Sequence, residues 1–338
     1  MPIRTAILGY GRNGSSMHAG AVAGNPAFTM TAVCDSDPAR RGQAQERFGC
    51  PVYADYREML QREELDLVVI VTRSDQHCRM ACDCLSAGMN VLVTKPWAVN
   101  AAEADAMVAA AQASGTLLLP WLPVRWASDL RRLQELVAAG TIGNVHLIRR
   151  VVSCFSRRDD WQTQRQYGGG YLLNWGPHIV DSALRVKNSP VTAIYGRLRQ
   201  VINPGDTEDQ FLAVMTLADG TVVTAEHTIA VDVLPNWTIQ GDQGTIVVHG
   251  RQAVIYPHTP PNPGDPTQYT AMQAGAGATS EETFGPAIYG DTDEIYGEIA
   301  RALQGERAYS VTPADALHLT RVLDAIRHSA AENRVILM

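Results

Sequence analysis

The stretch Gly9-Tyr-Gly11-Arg-Asn-Gly14 sets the tightest limit on what this chain can fold into. A G-x-G-x-x-G alone is a weak signal. Here it follows an apolar strand pattern over 3–8 and opens a helical pattern over 15–24. It also precedes a second strand pattern ending in Asp35, 21 residues beyond Gly14. That context makes it a dinucleotide fingerprint. Gly9 permits the tight turn, Gly11 lets backbone approach a pyrophosphate, and Gly14 lets the helix pack on the strand. The helix N-terminus offers unbonded N–H groups and a positive dipole end to phosphates. Arg12 and Asn13 lie in the same loop and are expected to face the cofactor. Asp35 is placed to accept hydrogen bonds from ribose hydroxyls. A carboxylate there repels a 2′-phosphate and favours NAD, while Arg40 and Arg41 close by make NADP possible.

The alternation continues through strand patterns at 65–72, 90–94 and 116–119, separated by helical patterns. Asp55 with Glu58, and Asn100 with Glu103, have capping-box spacing, and Gly88 and Gly115 fit the position just past a helix end. Buried strands alternating with helices form a parallel sheet covered on both faces, and right-handed crossovers make it doubly wound. The character changes near Pro120-Trp-Leu-Pro123. After one helix (128–139) come strand patterns at 145–154, 191–201, 210–217, 221–229, 237–241 and 245–249. The expected fold is α/β: a Rossmann domain over 1–122, then an α+β domain over 123–338 on a largely antiparallel open sheet. Residues 257–286, rich in Pro, Gly and Thr, read as a surface loop, with helices following at 291–304 and 313–330.

At 338 residues there is chain enough for two cores. A net charge of −7 argues against a nucleic-acid partner. No apolar run approaches the ~20 residues of a membrane span. The N-terminus enters a strand at once without a signal-peptide pattern, so the expected location is cytoplasmic, with six reduced thiols. Cys78 and Cys82 share a helix face, but no second pair exists to complete a zinc site, and no metal is expected.

Several segments, in order, resemble the glucose-fructose oxidoreductase / inositol 2-dehydrogenase / MocA family. They are the glycine loop, Asp55-Tyr-Arg-Glu-Met-Leu60, Thr72-Arg-Ser-Asp-Gln-His77, Thr94-Lys-Pro96, and Gly168-Gly-Gly-Tyr-Leu-Leu-Asn174-Trp-Gly-Pro-His178-Ile-Val-Asp181. The resemblance implies a nicotinamide cofactor and hydride transfer at a carbon bearing a hydroxyl, on a sugar, cyclitol or sugar derivative. It implies a homo-oligomer, dimer or tetramer, formed through the C-terminal sheet. It places Thr72, Arg73 and His77 by the cofactor and maps the family's site residues onto Lys95, Asn174 and His178. Two positions depart: Thr94 stands where the family has Glu, and Asn174 where it has Asp. Arg73 stands where Pro is common.

Oxidising a secondary alcohol releases a hydride and a proton, and a positioned base must take the proton. Lys95 lies at the carboxyl end of a strand, where open α/β sheets bind ligands. Its ammonium can stabilise alkoxide character on the reacting oxygen and contact the cofactor. His178 is the natural proton acceptor. Asn174 reads as the N-cap of a helix whose first turn holds Pro177. Positions 174, 178, 181, 182 and 185 then share one face. A plain surface helix would show the same pattern. Asp181 could supply the carboxylate that Asn174 lacks, leaving Asn174 to bind substrate. Arg125, Trp161 and Tyr167 are further expected substrate contacts. Arg157, Arg158 and Arg165 hint at an anionic group on the substrate. Two other readings remain open: an enzyme that recycles a tightly bound nucleotide, giving epimerisation, elimination or transhydrogenation, and a catalytically silent nucleotide-bound sensor or partner protein.

Overall fold

The five apolar runs of the first third become strands, joined by a two-residue β3 that the pattern does not show, in six parallel strands: β1 (Ile3–Leu8), β2 (Phe28–Cys34), β3 (Val52–Tyr53), β4 (Leu67–Ile70), β5 (Asn90–Val93) and β6 (Leu118–Pro120). The structure, a computed structural model, describes residues 1–231, 233–260, 267, 269 and 278–338. The strand order β3-β2-β1-β4-β5-β6 is that of a doubly wound dinucleotide-binding sheet. Every residue of β4 is buried, which is why it reads as an unbroken apolar run rather than an alternation. The core on one sheet face includes Leu8, Ile70, Val93, Leu85 and Met107. The order reverses between β1 and β4, so their carboxyl ends flank the crevice where such sheets take ligands.

The later strands are β7 (Val145–Ser153), β8 (Val191–Arg199), β9 (Gln210–Leu217), β10 (Val222–Thr228), β11 (Trp237–Gly241), β12 (Gly244–His249), β13 (Gln252–Pro257), β14 (Ser280–Thr283) and β15 (Ile336–Leu337). Among the described residues they form one sheet in the order β14-β13-β12-β11-β7-β10-β9-β8-β15. All pairs are antiparallel except β7 with β10. The helix Tyr171–Arg185 packs on β10 and β7. Part of the expected loop 257–286 is strand: β14 pairs along β13, using backbone groups a loop would leave to water. Much of the remainder, 261–266, 268 and 270–277, lies outside the described residues.

The chain divides into two compact units, and not at a single point. The first holds Met1–Pro123, Gln164–Gly169 and Asp291–Asp324; the second holds Val124–Thr163, Gly170–Gly290 and Ala325–Met338. The sequence places one junction near 122, with the last helices in the second domain. In the structure, Thr292–Leu303 completes the first core. Its fully buried Tyr296 lies 5.5 Å from the Phe28 ring and 5.8 Å from Trp121. An amphipathic helix announces that it needs a core, but its sequence does not say which one. Among the described residues, no helix is long and apolar enough to cross a membrane.

Candidate active site

In the first unit, the fingerprint glycines divide by role. Gly9 has φ +94°, and a Cβ on it would lie 2.7 Å from the Val71 carbonyl oxygen. A Cβ on Gly14 would overlap the Gly9 carbonyl oxygen. Both glycines are therefore required by the protein's own packing. Gly11 is different: a Cβ there would meet only the tip of Arg40, at 3.6 Å. The backbone at Gly11 is thus open to close approach, as a dinucleotide pyrophosphate requires of the second glycine. Past Gly14 the helix opens as a π turn (Gly14–His18) and continues as Ala19–Gly24. Arg12 and Asn13 are exposed, in the helical turn that leads into Gly14.

Asp35, at the end of β2, is buried, and its carboxylate is held by backbone. Oδ2 accepts from Tyr10 N at 2.7 Å and Oδ1 from Asp37 N at 2.9 Å. This ties the strand end to the glycine loop. Arg40 Nη1 stands 3.6 Å from Asp35 Oδ2, so Arg40 does reach the cradle. Arg41 turns away, donating to the Asp35 and Ser36 carbonyls at 2.8 and 2.9 Å.

Lys95 follows β5, and the Lys95–Pro96 peptide bond is cis. The loops beside it are pinned by His77, whose Nδ1 lies 2.8 Å from the Pro96 carbonyl oxygen and Nε2 3.1 Å from that of Thr72. Carbonyl oxygens only accept, so a neutral ring can donate to one of the two and only the charged ring to both; burial pushes the His77 pKa down while the two carbonyls pull it up. His77, expected at the cofactor, is thus buried with both nitrogens occupied by the protein, and acts as a clamp between two strand ends. Thr94 turns its hydroxyl to the Ile70 carbonyl at 2.9 Å, so the family's Glu is replaced by a group spent within the sheet. The Thr72 hydroxyl contacts Met80 Sδ at 3.5 Å. Arg73 lies over the Tyr167 ring at 4.0 Å, which pairs an expected cofactor contact with an expected substrate contact. Trp97 Nε1, two residues past Lys95, is buried without a protein partner. Cys78 and Cys82 sit half-buried on the helix His77–Ser86, where burial raises both thiol pKa values, Cys78 to about 12.

In the second unit, the helix carrying His178 begins at Tyr171, not at the expected cap Asn174. Gly170, at φ +105°, swings the chain into the helix earlier, and Asn174 N already donates to the Gly170 carbonyl at 2.9 Å. Pro177 consequently lies inside the helix. The cap comes from far along the chain. The Glu208 carbonyl accepts from Tyr171 N at 3.0 Å and its carboxylate from Leu172 N at 2.9 Å. A Cβ on Gly170 would overlap the Glu208 carboxylate, so this glycine makes room for the cap. The polar helix face is not a wet surface: Asn174, Asp181 and Ser182 are all buried.

Asp181 and Arg125, expected as proton partner and substrate contact, are paired with each other. Arg125 Nε and Nη2 each lie 2.8 Å from a different Asp181 oxygen. The fork geometry of guanidinium and carboxylate explains the match. Both Asp181 oxygens are thereby engaged away from a role as proton partner. Arg158 likewise forks onto Asp160 at 2.9 and 2.8 Å, which removes one of the arginines offered for an anionic substrate. Trp161 is half-buried at the start of a short turn, Trp161–Thr163.

His178 is ringed by aromatics. Trp175 lies 5.9 Å away and Tyr289 6.3 Å away, both edge-on, and the two are 6.2 Å from each other. Behind Trp175, His227 stacks at 5.2 Å and is itself flanked by Tyr171 at 4.6 Å and Phe211 at 6.4 Å. His227 is fully buried, and burial lowers its pKa to about 4 against the opposing pull of Asp209. Glu208, Tyr289 and His227 were not singled out from the sequence. Tyr289 trails a proline-rich stretch, and Glu208 lies in a loop, without a spacing signal.

Residues 3–120 match the profile of an oxidoreductase family with an NAD-binding Rossmann fold, and residues 130–247 match the GFO/IDH/MocA C-terminal domain. The chain is 22% identical over 349 residues to the scyllo-inositol 2-dehydrogenase (NADP(+)) IolW of Bacillus subtilis, covering 99% of this chain and 96% of that one. An NAD-binding protein from Listeria innocua superimposes over all of both chains with a TM-score of 0.87 at 23% identity. The WlbA dehydrogenase from Bordetella pertussis, solved with NADH and UDP-GlcNAcA, gives 0.83 at 21% identity, covering 100% of this chain and 99% of that one. At these identities the structural likeness speaks for the fold.

Proposed function

The chain belongs to the GFO/IDH/MocA family of oxidoreductases with an NAD-binding Rossmann fold, and from that premise we propose that it is a dehydrogenase acting on a secondary hydroxyl of a cyclic polyol or sugar. The observation that carries the reading is Gly11, a glycine that nothing in the protein's own packing demands, set beside a buried Asp35. In this reading the glycine loop and Asp35 hold the nucleotide, and Trp97 Nε1 offers it a donor. When bound, its nicotinamide supplies the hydride acceptor. His178 takes the hydroxyl proton, and Lys95 stabilises negative charge on the reacting oxygen. Asn174, neutral and buried, orients rather than titrates. The Arg125–Asp181 pair braces the helix from its side.

The neighbour solved with UDP-GlcNAcA takes an acidic nucleotide sugar, and IolW takes scyllo-inositol. With Arg125 and Arg158 both consumed by internal carboxylates, the neutral ring fits this chain better. NAD is the preferred nucleotide because the buried Asp35 carboxylate at the end of β2 would repel a 2′-phosphate. Arg40 offsets that charge enough for NADP to be accepted with lower affinity. Thermal-shift titration with NAD and NADP tests the cofactor assignment. Arg40→Ala should lose NADP stabilisation and keep that by NAD. Absorbance at the reduced-nicotinamide band, with scyllo-inositol and D-glucose as substrates, tests the reaction. Stabilisation by neither nucleotide would end the reading.

A further inference from the structure

The aromatic cluster around His178 has a feature the reaction itself does not require. Tyr289 is 47% exposed although its ring stands 6.3 Å from His178 and 6.2 Å from Trp175. A tyrosine that only filled the core would be covered. One that only held the histidine would need no exposed face. Trp175, half-buried, is fixed from behind by the stack of His227 and Phe211. Its orientation is set by rings that cannot reach solvent, since His227 and Phe211 are both fully buried. The result is a rigid indole beside a partly exposed phenol, the two ring planes inclined by 54°, next to the group assigned the proton.

We propose that Trp175 and Tyr289 form a subsite for the C–H face of a six-membered ring, a pyranose or cyclitol, beside His178. It selects cyclic over open-chain polyols. Aromatic faces carry partial negative charge, and the C–H bonds on one side of such a ring present partial positive charge. The hydroxyls project around the rim, where an imidazole can reach one of them. An open-chain polyol offers the same hydroxyls but no fixed apolar face, and it must lose torsional freedom to make one. The ligand class rests on the dehydrogenase reading above; the ring geometry does not.

The test measures binding and turnover separately. Isothermal titration of NADH-saturated protein, in which the nucleotide cannot accept a hydride, with scyllo-inositol and D-glucose, and with sorbitol as the open-chain probe, compares wild type, Tyr289→Phe and Tyr289→Ala. Because Tyr289 is partly exposed, the alanine variant should melt near wild type, and its melting curve is recorded. The expected result is Tyr289→Phe within about twofold of wild type for every probe. Tyr289→Ala should be weakened about tenfold for the two cyclic probes while NAD and sorbitol affinities stay unchanged. In turnover, the alanine variant should raise KM and leave kcat within about threefold, because stacking acts equally in ground and transition states. Unchanged cyclic affinity in a folded Tyr289→Ala, equal losses for cyclic probes and sorbitol, or wild type that binds neither cyclic probe would each overturn the subsite. A large kcat loss in Tyr289→Phe would overturn it in favour of a proton role for the hydroxyl. Ring binding without NADH formation would leave the subsite standing and sink the dehydrogenase reading instead.

Discussion

Two glycine turns each lead the chain into a helix, one at Gly9–Gly14 and one at Gly168–Gly170. The first closes on itself. Gly14 abuts Gly9, Ser15 N donates to the Gly11 carbonyl at 2.8 Å, and Asp35 binds Tyr10 N from the neighbouring strand. The second is closed by Glu208, which lies 36 residues beyond Leu172. Both turns exploit glycine's access to positive φ. The difference is where the partner sits: within a continuous motif in one case, in a distant loop in the other. A turn of the first kind is recognisable from its own residues. A turn of the second kind is not, and its helix start is correspondingly misplaced when read from sequence.

The comparison breaks most easily at Gly14. Gly14→Val should cost about 3 kcal/mol or more and abolish nucleotide binding, since its Cβ overlaps backbone that cannot move aside. Denaturant titration with the linear-extrapolation slope checks it. A stable Gly14→Val would mean that the turn is not closed as described.

The buried histidines give the next largest effect. In the first unit burial lowers His18 to about 3 and also lowers His77; in the second it lowers His227 to about 4. Against an unfolded value of ~6.5, the unfolded chain takes up protons that the folded chain refuses. Stability should therefore fall as pH drops from about 6.5 towards 4, and be insensitive to these groups above that range. For His227 alone the loss is on the order of 3 kcal/mol at the acid end. His227→Phe keeps the stack and removes the titrating ring, so it should flatten part of the acid slope and cost little at pH 8. Urea melts across pH 4–8 measure this, and an unchanged acid slope would contradict it.

A smaller effect is expected at Glu208. Removing its carboxylate with Glu208→Ala leaves the Leu172 N–H without that acceptor and should cost about 1–2 kcal/mol. Glu208→Gln should recover most of it, because an amide oxygen also accepts. Thermal melts of the two variants decide between a cap and mere space-filling. Smallest in stability is Gly11→Ala, expected within about 0.5 kcal/mol of wild type in a melt, yet with NAD affinity down at least about tenfold. Gly14 and Gly11 then separate a packing glycine from a binding one. Loss of stability without loss of affinity at Gly11 would reverse their roles.

What the sequence made legible follows the same division. The Rossmann sheet was readable because buried parallel strands are continuous apolar runs and the glycine loop has fixed spacing. The later strands were readable from their alternation, apart from β13, β14 and β15, which are short or follow turn-rich segments. The surroundings of His178 were not readable. Arg125 and Asp181 lie 56 positions apart, and only the fold makes them a fork; assigned separately, each looked like a site residue. His77 showed a motif match, but its role as a clamp depends on two carbonyl groups, which have no side-chain signature. Tyr289 lies 114 positions from Trp175, and only the fold brings the two rings within 6.2 Å. Spacing in a sequence reports partners within one helix or turn, and the candidate site is assembled mostly from partners that are not.

The central claim is that His178 accepts a proton while a hydride passes to NAD from a cyclic polyol. The most direct measurement follows NADH formation at saturating NAD and scyllo-inositol, as a function of pH, for wild type, His178→Gln and Lys95→Met. NAD binding by each variant is checked by thermal shift. The account predicts measurable NADH formation by wild type. It predicts a loss of about 100-fold or more in kcat for each variant, with NAD stabilisation retained in His178→Gln. A His178→Gln protein that turns over at the wild-type rate, with the same pH profile, would contradict it.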